Sequence, residues 1–291
     1  MSSLPHTPPP GTLQREALLR TVREAYMEVF PTDSIIERLT VLPVGSYVAL
    51  TCSPSKGITT TLDMTEQLIA RGYRVVPHIA ARLVRDEHHL DEVLCRLEQL
   101  PIDSVFVPGG DSPRPAGKFA SALELLRAMA ARGHRFHEIG VAAHPEGHPL
   151  ISDEVLLREL EQKQAHASYM VTQMCFDARA IGTWLERIRA HGISLPVWLG
   201  LPGESDRSAL LGTSLRIGVG NSLRYLRNHG RIAAQMLMAR TYRPDALLHE
   251  LAPWLADPAM RIAGHHLYCF NQVERTQAWR LAFLAALEQL Q

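Results

Sequence analysis

Eight short apolar runs separated by amphipathic segments constrain this chain more than any other feature of its sequence. The strand-like runs are Tyr26 to Phe30, Tyr47 to Cys52, Arg74 to His78, Ser104 to Val107, Ile139 to Ala143, Tyr169 to Thr172, Pro196 to Leu201 and His265 to Phe270. Between them, apolar residues return at helical spacing over Thr61 to Arg71, Leu90 to Gln99, Lys118 to Arg132, Asp153 to Ala165, Ala178 to His191 and Leu223 to Arg240. Strands with intervening helices predict an α/β fold, the (β/α)8 TIM barrel. Only Asp33 to Leu39 is available as a helix between the first two strands, and the last two are far apart. The barrel is therefore expected to be irregular at its first and last units.

At 291 residues and 46% hydrophobic content the chain can bury one large core. That predicts an arm over residues 1–12 and one barrel domain over 13–291. A formal net charge of zero supplies no global field to attract nucleic acid or an anionic membrane, which favours small-molecule ligands. The opening M-S-S-L-P-H-T-P-P-P-G lacks the basic and apolar regions of a secretory signal and reads as a polyproline-like arm. No run approaches the roughly 20 apolar residues that span a bilayer. Cys52, Cys95, Cys175 and Cys269 are far apart and form no C-x-x-C pair, so neither a zinc knuckle nor a disulfide framework is indicated. A reducing cytoplasm fits this pattern.

Three runs end abruptly in polar groups: V-A-A-H-P-E-G-H-P at Val141 to Pro149, Y-M-V-T-Q-M-C-F-D at Tyr169 to Asp177, and S-V-F-V-P-G-G-D at Ser104 to Asp111. In a barrel, active sites form at the C-terminal strand ends. Those ends present Glu28, Thr51, His78, Asp111, His144 with Glu146 and His148, Gln173, Glu204 and Asn271. No serine lies in a G-x-S-x-G elbow and no cysteine carries a signature of activation, so acid–base or hydride chemistry is favoured over acyl transfer. His144, Glu146 and His148 have the chemistry of zinc ligands, but Pro145 and Pro149 oppose a helical pair and no third ligand is indicated. No metal site is assigned.

These residues resemble the methylenetetrahydrofolate reductase family in its short bacterial-type form, from about Glu28 to the C-terminal helix. The family's A-Y-P-E-x-H-P is Ala143, His144, Pro145, Glu146, Gly147, His148 and Pro149 here. Its K-x-x-A-G-A-x-x-x-x-T-Q-x-x-F-D is matched, one residue shorter, by Lys163, Thr172, Gln173, Phe176 and Asp177. Its R-G-D is Gly109, Gly110 and Asp111, and its A-P-H is Val76, Pro77 and His78. F-E-F-F-P is similar to Met27 through Pro31, and Y-x-L-N-R to Tyr268 through Gln272.

The resemblance implies reduction of 5,10-methylenetetrahydrofolate to 5-methyltetrahydrofolate with NADH or NADPH. Glu28 is implied as the general acid that protonates N10 as the five-membered ring opens to an iminium cation, and burial is expected to raise its pKa accordingly. Asp111 is implied to face the cation, with Gln173 and Phe176 in the substrate site. Thr51, His78, Gly110, His144, His148 and Lys163 are implied at the cofactor.

The pattern departs from the family where FAD would bind. Gly109 replaces an arginine, His144 a tyrosine, and Leu156 and Glu159 replace the aspartate and asparagine of D-L-L-N-L-K-x-K. Each lost polar contact is worth about 0.5 to 3 kcal/mol, so tight FAD binding is not expected and nicotinamide is expected to pass hydride straight to the folate. A conventional FAD-dependent reductase and a folate-binding or methyl-transfer relative without redox activity are the alternatives. Arg216 to Arg227 reads as a glycine turn entering a basic helix, where Asn221, Ser222 and Arg224 are expected to receive a dinucleotide phosphate or a glutamate tail.

Overall fold

The computed structural model describes residues 11–206 and 241–289. Its strands are β1 (Tyr26–Val29), β2 (Tyr47–Leu50), β3 (Arg74–Pro77), β4 (Ser104–Val107), β5 (Glu138–Ala143), β6 (Tyr169–Thr172), β7 (Val197–Pro202), the short β8 (Ser205–Asp206) and β9 (Thr241–Tyr242), and β10 (Ile262–Tyr268). Eight of them form one sheet in the order β3-β2-β1-β10-β7-β6-β5-β4, while β8 and β9 pair separately as an antiparallel ladder. A parallel bridge from His78 to Phe106 joins the outermost strands and closes the sheet into a barrel. The expected (β/α)8 architecture is the one observed, with every barrel strand at its expected run, whereas β8 and β9 were not expected.

The helices are α1 (Thr12–Arg23), the single-turn α2 (Ile35–Arg38), α3 (Gly57–Ile69), α4 (Glu87–Glu98), α5 (Ala122–Arg132), α6 (Asp153–Lys163), α7 (Ala178–Ala190), α8 (Asp245–Ala256) and α9 (Val273–Gln289). The first β–β connection is as short as the sequence indicates. Helix α1 starts at Thr12, inside the stretch assigned to the arm, and packs on α8, α9 and β10. Helix α5 starts at Ala122 rather than Lys118, because Ser121 forms a capping box: its hydroxyl accepts from Glu124 N and the Glu124 carboxylate accepts from Ser121 N. The helical patterns found in the sequence omit α1, α8 and α9. The pattern at Leu223 to Arg240 and the basic segment Arg216 to Arg227 lie outside the described residues.

Successive strand side chains alternate between the helices and the barrel interior. Outward residues such as Val48, Leu50, Val105, Val141, Val197 and Leu199 join the helices in the main core. Inward, Val76, Phe106, Tyr169 and Val171 cluster with Ala142 and Trp198. Large rings fit there because glycine faces them: a Cβ on Gly140 would enter the Tyr169 ring, and one on Gly264 would enter the Trp198 ring. Tyr26 packs edge-on against Trp198 and His266, each at 4.9 Å between ring centroids. The lower barrel is thus filled, and functional side chains stand above an aromatic floor.

Candidate active site

Glu28 follows Tyr26 at the inward-facing positions of β1, and its side chain is only 12% exposed. Its Oε2 lies 3.0 Å from His266 Nε2 on the neighbouring β10 and 3.9 Å from His78 Nε2 at the end of β3. Burial raises the Glu28 carboxyl, but the hydrogen bond and charge of His266, with a smaller effect from His78, outweigh it and hold the group below its usual value. This corrects the expectation that burial would set the net direction: desolvation acts as argued, yet a hydrogen-bonded imidazole overcomes it. Burial pushes the His78 imidazole down to about 4 against the pull of Glu28, so His78 is neutral near pH 7. Its ring packs on Phe106 at 4.7 Å.

The backbone around Glu28 is pinned from β10. The Cys269 thiol donates to Glu28 O (3.0 Å). Asn271 takes a left-handed conformation (φ 60) that lets its amide clamp the segment after β1, accepting from Phe30 N at 2.8 Å and donating to Phe30 O and Thr32 Oγ1. Asn271 therefore orients the strand that carries Glu28.

Asp111 stands at the exposed rim above β4. Partial loss of hydration, then the negative charge of Glu28, raise its carboxyl, while His148 works in the opposite direction. The two carboxylates thus sense one another across the mouth, and burial, then both carboxylates, raises the pKa of Tyr268, whose hydroxyl donates to Thr172 O (3.2 Å). The loop bearing Asp111 is held by Arg82: Nε donates to Ser112 O (2.7 Å), Nη1 to Ala120 O (3.0 Å) and Nη2 to Pro113 O (2.9 Å). Gly110 precedes Asp111 at φ +95, with space for a Cβ limited by Ala80 Cβ at 3.1 Å. Glycine is required there by conformation as well as room.

Thr51 is buried at the end of β2. Its Oγ1, together with His78 Nε2 and His266 Nδ1, has no hydrogen-bond partner among the described residues. Unpartnered buried polar atoms around one mouth mark where a polar ligand would complete the structure. Gln173 continues the inward parity of Tyr169 and Val171, and its Oε1 accepts from Met174 N (3.0 Å). Phe176 is 4% exposed and packs edge-on against Tyr242 at 5.4 Å, away from open space.

The remaining cofactor candidates face a different feature. His144 and Lys163 line a cleft of about 230 Å³ between α6 and α7, with Asp153, Trp184 and Arg187. Burial pushes His144 down to about 4, with His148 and Lys163 adding to the fall, so it is neutral near pH 7. His148 packs edge-on to it at 5.4 Å and lies on the Asp111 side. Lys163 is buried and ion-paired with Glu159 at 2.8 Å, one helical turn earlier. Burial, then the Glu146 carboxylate, raises the Cys175 thiol, so Glu146 interacts with the segment that follows β6.

Sequence reasoning did not single out His266, quoted Tyr268 within a motif without giving it a role, and did not single out Arg82. The signal for the first two was parity: they lie two residues apart on β10, so both face inward. Arg82 leaves no such mark, because its partners are backbone carbonyls some 30 residues away.

Fold and site together define a parallel barrel with an acid–imidazole cluster in its C-terminal mouth. The family model of methylenetetrahydrofolate reductase matches residues 32–203, more than half of the chain, and the chain belongs to that family. Methylenetetrahydrofolate reductase 2 of Saccharomyces cerevisiae is 28% identical over 133 residues, covering 42% of this chain and 22% of the yeast protein. Methylenetetrahydrofolate reductase 1 of Schizosaccharomyces pombe is 32% identical over 85 residues, covering 28% of this chain and 14% of that protein. The alignments therefore span about a fifth or less of these relatives' lengths. A crystal structure of tryptophan synthase from M. tuberculosis, 13% identical, superposes over 97% of this chain and 98% of its own with a TM-score of 0.51. That likeness concerns the fold alone.

Proposed function

We propose that the protein reduces 5,10-methylenetetrahydrofolate to 5-methyltetrahydrofolate, with hydride arriving directly from NADH or NADPH. Protonation of N10 breaks its bond to the bridging methylene and leaves a cationic iminium at N5. Hydride from the nicotinamide then adds to that methylene carbon and makes the methyl group. Glu28 delivers the proton, Asp111 offsets the iminium charge at the rim, and Gln173 meets the pterin edge. The single observation carrying this reading is the Glu28 carboxylate, enclosed at the barrel mouth and in electrostatic reach of Asp111.

The residues present do not fit a tightly held FAD, the family's usual cofactor. Gly109 offers no side chain, His144 is neutral, and the charge of Lys163 is already neutralised by Glu159, whose carboxylate would repel a pyrophosphate. We assign Thr51, His78, Gly110 and His148 to a ligand in the mouth, and the whole barrel over 13–291 to one catalytic domain. Among the described residues no helix is long and apolar enough to cross a membrane.

The test is incubation of flavin-free protein with NADH and methylenetetrahydrofolate, following loss of nicotinamide absorbance and formation of methyltetrahydrofolate. Stoichiometric FAD in the purified protein would defeat the direct-transfer step. Folate binding with no nicotinamide oxidation would defeat the reductase reading altogether.

A further inference from the structure

A general acid must hold a proton at working pH, yet the surroundings of Glu28 favour its ionised form. His266 resolves this conflict. Its side chain is 2% exposed on β10, clasped between Tyr26 and Tyr268 at 4.9 Å each, with Nε2 aimed at Glu28 Oε2 at 3.0 Å. We propose that His266 and Glu28 act as one proton-holding pair, in which His266 Nε2 stores the proton that Glu28 passes to the substrate. This rests on the reading that Glu28 protonates N10.

In the resting pair, Nε2–H donates to the ionised carboxylate. When substrate excludes water from the mouth, the separated charges lose hydration and the proton moves from Nε2 to Oε2, leaving both partners neutral. Glu28 then gives its proton to N10 as the bond to the methylene breaks, and the carboxylate becomes negative beside the new cation. Hydride transfer neutralises the iminium. One proton from solvent, taken up when product leaves, restores the pair, which matches the one proton the reaction consumes.

The other groups facing the pair favour this assignment. His78 on β3 has Nε2 at 3.9 Å from the same carboxylate oxygen, beyond hydrogen-bonding distance. Tyr26 on β1 and Tyr268 on β10 have hydroxyls held un-ionised by burial, Asp111 beyond β4 is exposed at the rim, and the Cys269 thiol is committed to a backbone carbonyl. Among these side chains, His266 alone meets Glu28 within hydrogen-bonding distance. It is a positioning residue that acts through Glu28.

The experiment compares His266→Gln with the parent in the pH profile of kcat and in folate affinity, and follows the His266 side-chain nitrogens by 15N NMR in the parent and in Glu28→Gln. With the histidine gone, the proton must sit on the carboxyl alone. The alkaline fall in kcat should then move to lower pH by about one unit or more, with affinity for methyltetrahydrofolate within about threefold. In the NMR arm, the pH response of the His266 nitrogens should differ between the parent and Glu28→Gln, because the 3.0 Å contact then ends on a neutral amide. An unmoved pH profile, or His266 nitrogens that titrate identically with and without Glu28, would overturn the pairing. The NMR arm needs no turnover, so failure of the reductase reading is visible separately as an inactive parent whose two side chains still titrate together.

Discussion

Glu28 and Gly110 show how much one position can decide at the mouth of this barrel. Glu28→Gln preserves shape and hydrogen bonding to His266 but carries no transferable proton. Turnover should fall by about 10² to 10⁴-fold with folate affinity nearly unchanged, measured by steady-state kinetics and binding titration. Gly110→Ala places a side chain at φ +95 against Ala80. It should cost about 1 to 3 kcal/mol of stability by urea unfolding and raise the KM for folate, because the strain falls on the residue before Asp111. Both positions were legible in the sequence, since a carboxylate ending a strand and a G-G-D turn are local signals. The direction of the Glu28 shift was not, because it depends on an imidazole 238 residues away.

At the scale of elements, two clamps hold the mouth together, and both use side chain to backbone hydrogen bonds between distant segments. Arg82→Ala would release three carbonyls of the loop after β4, costing about 1 to 3 kcal/mol in unfolding and raising KM more than it lowers kcat. Unchanged kinetics would show that the loop holds Asp111 without it. Asn271→Ala would free the segment after β1 and should lower kcat through Glu28 by about tenfold, a misplacement effect of the kind expected for loosened catalytic groups. The eight barrel strands were legible because continuous apolar runs bounded by turns have few other solutions, whereas the two-residue β8 and β9 carry no such run. Helices α8 and α9 were not. Pro253 interrupts the pattern in α8, and the buried face of α9 includes Thr276 and Gln277, which dilute the apolar period.

Across the whole molecule, the buried His78 and His265 and the half-buried His144 should make stability fall in acid. Burial depresses His78 and His144 to about 4 and His265 to about 3, against an ordinary value of 6.5. Each is neutral in the fold and takes up a proton on unfolding once the pH drops below about 6.5. Stability is therefore unaffected by them above that pH and declines below it, by up to about 1.4 kcal/mol per pH unit for each group until its folded value is reached. Glu28 adds to the same trend only at lower pH, where its lowered folded value lets the unfolded carboxyl protonate first. Urea midpoints that stay level from pH 7 to pH 5 would contradict this account.

The sequence by itself determined the barrel, because hydrophobic period and strand–helix alternation are local properties that survive in one dimension. It also determined which polar groups end the strands, and through them the family. Tertiary structure decided what those groups do to each other. Closure of β1 against β10 sets the Glu28–His266 contact, and the separation of α6 from the mouth places Lys163 in a cleft of its own. The physical reason is that periodicity reports which face of an element is buried, whereas protonation depends on distances between residues that only the folded chain brings together.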